Sequence, residues 1–118
     1  MKMPKKRAAE YVVVLVTCGS RAQARRIARA VVTERLAACA NVFEARVESV
    51  YRWKGKVEQA REFLLLMKTS TSRLAALKAE VKRLHSYDVP EFIALPIVAG
   101  PPAYLRWLAE CLIRGRKT

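Results

Sequence analysis

The run His85-Ser86-Tyr87-Asp88-Val89-Pro90-Glu91 gathers an imidazole, a phenol and two carboxylates around a proline, and His85 is the only histidine among 118 residues. Imidazole, carboxylate and thiolate are ligands for borderline metals such as Cu(II) or Zn(II), which makes His85, Glu91 and Cys39 the candidate donors. Their spacing matches no metal motif, however, and one histidine per chain makes a weak site unless several chains contribute. Catalysis has less support. The chain has no G-x-S-x-G elbow, no Walker loop, no G-x-G-x-x-G and no histidine beside a recognisable nucleophile, so it reads as a non-enzyme.

Each candidate also has a plain structural account. A histidine closing a helix is favoured by the helix dipole, and its ring N–H can satisfy a last carbonyl. Cys39 suits a tight helix-to-strand corner as a small apolar residue, and Cys18 and Cys111 suit the core. Trp53, Tyr104 and Trp107 are amphipathic rings that pack at seams. Lys68 ends a strand, where it is either solvated or an anion-binding group in a cleft. Glu58 and Glu62 read as surface charges balancing Lys54, Lys56 and Arg61.

The elements that must position these residues follow from periodicity. Tyr11-Val12-Val13-Val14-Leu15-Val16 is continuous and β-branched, as in a central strand covered on both faces. Ser20 and Gln23 have capping-box spacing, and Ala24, Ile27, Ala28, Val31, Val32 and Leu36 form a helical stripe, predicting a helix over 21–38. Residues 41–53 alternate, with Phe43, Ala45, Val47, Tyr51 and Trp53 on one parity, as in a half-buried strand. Lys54-Gly55-Lys56 turns the chain, and Phe63-Leu64-Leu65-Leu66-Met67 returns it as a long antiparallel hairpin. Leu74, Leu77, Val81 and Leu84 mark a second helix after cap candidates Thr71 and Ser72, with His85 at its end. Residues 92–98 form a strand whose internal Pro96 assigns it to an edge or bulge. Pro101-Pro102 opens a last helix carrying Tyr104, Leu105, Trp107, Leu108, Cys111 and Leu112. The order βαββαβ plus a terminal helix predicts an α+β, ferredoxin-like sandwich.

Length and composition bound the function. At 118 residues and 53% hydrophobic content, one domain with its own core is expected over 10–113, between basic tails at 1–9 and 114–118. The longest apolar run is far short of the roughly 20 residues that span a bilayer, and no cleavage pattern follows it, so the chain is expected in the cytoplasm without a membrane partner. Three widely spaced cysteines suit reduced thiols better than a disulfide framework or a closed zinc site. The net charge of +13 invites a nucleic-acid reading. Much of it lies in the tails (Lys2, Lys5, Lys6, Arg7, Arg114, Arg116, Lys117) and on the first helix (Arg21, Arg25, Arg26, Arg29, Arg35), where a solvated face accounts for it. No aromatic-basic RNA-recognition motif is present, which argues against sequence-specific recognition.

Four blocks in order carry a family resemblance: Glu34-Arg35-Leu36-Ala37-Ala38-Cys39-Ala40-Asn41; Ser49-Val50-Tyr51-Arg52-Trp53-Lys54-Gly55-Lys56; Leu66-Met67-Lys68-Thr69; and the 85–91 run with Tyr104-Leu105-Arg106-Trp107. With them the chain resembles the CutA family of divalent-cation-tolerance proteins over residues 11–112. Mild departures are Ser86 for the usual proline, Asp88 for the usual glutamate, and the thiol at Cys18; the basic tails are a private feature. The resemblance implies a tight homotrimer joined through long hairpins. It also implies a cleft between subunits where His85, Tyr87 and Glu91 meet Lys68, Trp53 and the Cys39-Ala40-Asn41 turn. An open hairpin edge independently favours pairing with a partner. The leading expectation is a trimer linked to divalent-metal tolerance with weak Cu(II)-type binding at His85, helped by Cys39 or Glu91, and no firm cofactor. The alternatives are a module similar to PII signalling proteins, binding a small anion through Lys68, Arg52 and Trp53, and a nucleic-acid or anionic-surface binder.

Overall fold

The computed structural model describes residues 9–113; the basic tails, apart from Ala9, lie outside the described residues. The elements run β1 (Tyr11–Cys18), α1 (Arg21–Thr33), β2 (Cys39–Val42), β3 (Val47–Trp53), β4 (Lys56–Ser70), α2 (Leu74–Leu84), β5 (Ile93–Pro96) and α3 (Pro102–Cys111), with a single 3₁₀ turn, Thr71–Arg73, leading into α2. The sheet order β2-β4-β1-β5, all antiparallel, is the ferredoxin-like arrangement, and β3 continues the hairpin alongside the outer half of β4.

Strand β1 is central, as its sequence requires, pairing with β4 from Tyr11↔Ser70 to Cys18↔Phe63 and with β5 from Val12↔Pro96 to Leu15↔Ile93. Its burial alternates, though. Val12, Val14, Val16 and Cys18 are buried with Leu65 and Met67 under Ile27, Val31, Leu77 and Val81 of the two helices. Burying each such large aliphatic side chain contributes about 1.5–3 kcal/mol. Alternate positions on the opposite face are only half-buried, and α3 covers one end through Leu108 and Leu112 against Ala38. The expectation of two fully covered faces is thus corrected for a single chain.

Helix α1 starts as predicted, with Ser20 Oγ accepting from the Gln23 N–H at 3.1 Å. It ends five residues earlier than predicted. Arg35 takes φ 58°, its N–H donates to the Val32 carbonyl and that of Leu36 to Val31, which is the Schellman pattern. Arginine stands where glycine usually signals that motif, so periodicity overran it. The strand expected over 41–53 is broken at residues 43–46 into β2 and β3. Strand β4, conversely, runs 15 residues, its charged outer half being held by the hairpin ladder. The expected side-chain cap of α2 at Thr71 or Ser72 is replaced by the 3₁₀ turn, with Thr71 Oγ1 donating instead to the Ala9 carbonyl. Strand β5 is an edge, as Pro96 demands.

Candidate functional site

The junction where β1 ends, α2 stops and the hairpin leaves the sheet concentrates the polar chemistry. His85 is the C-cap of α2, its backbone N–H donating to Val81. Its ring, 8% exposed, does not serve its own helix as expected but crosses to the sheet. Nε2 lies 2.8 Å from the Thr17 carbonyl, while Nδ1 lies 3.1 Å from the Tyr87 backbone N–H. A carbonyl can only accept and an amide N–H can only donate, so these contacts assign the proton to Nε2 and acceptance to Nδ1. Both ring nitrogens are engaged within the chain. The His85 and Tyr87 rings stack at 4.6 Å between centroids, tilted by 49°.

Tyr87 carries the network onward. Its hydroxyl donates to Glu62 Oε2 at 2.9 Å, and Glu62, 6% exposed, is no surface charge; this corrects the surface-charge reading of Glu62, while Glu58 is exposed as expected. Burial first, then the hydrogen bond and charge of Glu62, push the Tyr87 phenol up to about 12. Burial and the same carboxylate push the Cys18 thiol up to about 11. Both shifts favour the neutral, unreactive forms at neutral pH. Gly19 permits the close approach, since a Cβ there would lie 3.2 Å from the Tyr87 hydroxyl.

The other candidates lie elsewhere. Cys39 pairs with Lys68, and Asn41 with Leu66, on the β2 edge; Lys68 Nζ donates to the Tyr104 hydroxyl at 3.1 Å, which raises the lysine's pKa despite some burial. Thr17, which holds His85, is level with Leu64. Cys39 is level with Lys68, four residues along β4, or about 13 Å at the rise of a strand. Trp53 stands at the hairpin tip opposite Lys56, twelve residues and roughly 40 Å from Lys68. Glu91 is exposed. Thus one chain joins His85 to Tyr87, and Cys39 to Lys68, but not the two pairs to each other or to Trp53. Among the described residues no group of three or more His, Cys, Asp or Glu is placed to hold a metal ion. Cys111, expected in the core, is half-buried.

A family model for the CutA1 divalent ion tolerance protein matches residues 12–111. The chain belongs to this family. The divalent-cation tolerance protein CutA of Thermus thermophilus is 52% identical over 98 residues, covering 83% of this chain and 94% of that protein. The chloroplastic CutA of Arabidopsis thaliana is 47% identical over 97 residues, covering 82% of this chain but 53% of the relative, so this chain spans about half that protein's length. The crystal structure of CutA1 from Oryza sativa matches with a TM-score of 0.85 at 44% identity, covering 91% of this chain and 97% of that one. The CutA1 assignment agrees with the ferredoxin-like topology.

The CutA resemblance did not point to Glu62, and nothing in its neighbourhood signals it: Arg61-Glu62 reads as alternating surface charge until Tyr87 is placed above it. Among the described residues of this CutA1 chain no helix is long and apolar enough to cross a membrane.

Proposed function

We propose that this chain acts as a homotrimer in the cellular response to divalent metal ions, in a reducing compartment such as the cytoplasm, and that it catalyses no reaction. The observation that carries this reading is the arm of β3 and the outer half of β4. Val50, Tyr51, Trp53 and Val57 on it are 44–64% exposed, and its outer backbone edges have no strand beside them among the described residues. An apolar, open-edged ribbon of this kind is stable when a second copy covers it. The protonated Cys18 and Tyr87 favour a non-catalytic role, because neither is a nucleophile or base near neutral pH.

Copper or zinc, on this reading, binds weakly and between subunits, because the donors of one chain are dispersed. Cys39 and Glu91 are the available ligands; His85 joins them only by releasing Nδ1 from the Tyr87 N–H. Sedimentation equilibrium should return the mass of three chains, and Cu(II) calorimetry on the reduced trimer should give saturable binding weakened by Cys39→Ser. A monomer at micromolar concentration would defeat the assembly. Binding unaltered by Cys39→Ser but abolished by His85→Ala would return the metal to the histidine.

A further inference from the structure

We propose that a cavity on the helix-covered side of the junction, ringed by Arg21, Arg46 and Arg61, is a binding site for a small phosphate-class oxyanion, independent of the metal reading. The cavity measures about 410 Å³ and is lined by these three arginines with Gly19, Ser20 and Phe63. That is within the range of small-molecule pockets and larger than a lone monophosphate needs. It has room for a di- or polyphosphate group.

The arginines are assembled by three separate elements. Arg21 opens α1, Arg46 sits in the bend before β3, and Arg61 lies on β4 next to the cavity floor at Phe63. Arg21 and Arg46 are held against the Phe63 ring, their guanidinium carbons 5.3 and 5.9 Å from its centroid. A cation–π contact engages the guanidinium through the ring's charge distribution but neutralises nothing, leaving the in-plane N–H groups of Arg46 able to grip an oxyanion bidentately. Arg21 also bonds Glu44, through Nε to the carboxylate at 3.4 Å and through Nη2 to the backbone carbonyl at 3.3 Å. Arg46 and Arg61 make no ion pair among the described residues. Two carboxylates lie at this cluster: Glu44, which Arg21 shares with Arg25 at 3.3 Å, and Glu48, the cross-strand neighbour of Arg61 on β3, which is ion-paired with none of the three. The buried Glu62 is not among the lining residues and accepts from Tyr87. With Glu44 and Glu48 counted, three guanidiniums converging on one cavity still leave net positive charge there, which an anion would neutralise. Phosphate fits the rigid forks better than spherical halides do.

The test uses inorganic pyrophosphate, with citrate as a polycarboxylate comparison, titrated by calorimetry into the full chain in metal-free buffer at two salt concentrations. Two charge-matched double variants are compared: Arg46→Gln with Arg61→Gln at the cavity, and Arg29→Gln with Arg106→Gln away from it. Saturable pyrophosphate binding weakened at least tenfold by the first pair and unchanged by the second is the expected result, each charge-assisted bond being worth about that factor or more. Equal weakening by both pairs would reduce the effect to general attraction by a +13 chain, and absence of saturable binding to the parent would remove the site. Tighter binding of citrate than of pyrophosphate would overturn the phosphate assignment. Circular dichroism on the variants separates lost binding from lost fold.

Discussion

The two halves of β4 share one continuous backbone but little of their physics. Between residues 63 and 70 the strand lies between β1 and β2, with Phe63, Leu65, Met67 and Thr69 buried under the helices. Between residues 56 and 61 it pairs with β3 alone, and its side chains are exposed apart from half-buried Ala60. The inner half is held by burial; the outer half, in one chain, is held only by its ladder and its turn. An isolated two-stranded ribbon is marginal in water, so the outer half reads as an element awaiting a partner. Glu62 and Tyr87 mark the boundary between the two regimes.

The comparison breaks most readily at Leu65, which is fully buried. Leu65→Ala should cost about 2–5 kcal/mol through lost transfer and a residual cavity. By contrast, Glu58→Ala on the exposed arm should stay within about 0.5 kcal/mol. Urea titrations at fixed chain concentration measure both, since the stability of the proposed trimer would depend on concentration. Similar losses at the two sites would mean that the strand is covered evenly along its length.

The second prediction concerns what covers the arm. Tyr51→Asp replaces an exposed ring on β3 with a charge; if the arm seals a trimer, burying that charge should weaken assembly by about 2 kcal/mol or more per contact. Sedimentation should then show a concentration-dependent shift from three chains toward one, with the helical signal of the core kept. An unchanged mass would place the seam elsewhere.

At the boundary, Tyr87→Phe leaves a buried Glu62 oxygen without its donor, at a cost of about 1–3 kcal/mol. It also changes the alkaline limb of stability. The Tyr87 phenol titrates at about 12 in the fold against an ordinary 10.0, so between those values the folded chain holds a proton that the unfolded chain has released. Stability is therefore fully present below pH 10 and declines as pH rises toward 12. Cys18, at about 11 against 9.0, adds a parallel decline starting near pH 9. The phenylalanine variant should keep the Cys18 decline and lose the steeper part above pH 10. Identical pH profiles for the two proteins would mean that the Tyr87 proton is not linked to folding.

The same contrast governs what could be read from the sequence. Periodicity located β1, α1, α2 and α3, because burial selects apolar residues at fixed intervals and the capping pair Ser20 and Gln23 marks a start. It left the outer half of β4 unmarked, since backbone pairing selects no side-chain type there and only the turn at Lys54-Gly55-Lys56 implied it, and it missed the break at residues 43–46, where alternation persists through a bend. It missed the end of α1 because an arginine took the left-handed position. The junction was half legible: His85 and Tyr87 stood out as rare residues at a proline-bounded exit, whereas Glu62, 25 residues from Tyr87, is joined to it only by the fold. The arginines of the cavity were legible only as surface charge on separate elements, Arg21 on the first helix and Arg61 at the hairpin.

A smaller gain is expected at the turn. Lys54 and Gly55 have φ of 50° and 80°, the positive pair that a two-residue hairpin turn requires, and lysine is poorly suited to the first of these positions whereas asparagine is well suited. Lys54→Asn should stabilise the arm by about 0.5–1 kcal/mol, seen as slower amide exchange across β3 and the outer half of β4 with little change in the core strands. The matching change in the inner region should behave oppositely. Arg35, at φ 58°, sends Nη1 to the Cys111 carbonyl at 3.0 Å, tying the end of α1 to α3, so Arg35→Asn relieves the backbone but removes the tether. Stabilisation at Lys54 without stabilisation at Arg35 would show that the arm depends on its local turn while the body depends on tertiary contacts. Equal gains at both would mean that the Arg35 contact contributes nothing and that backbone strain alone decides.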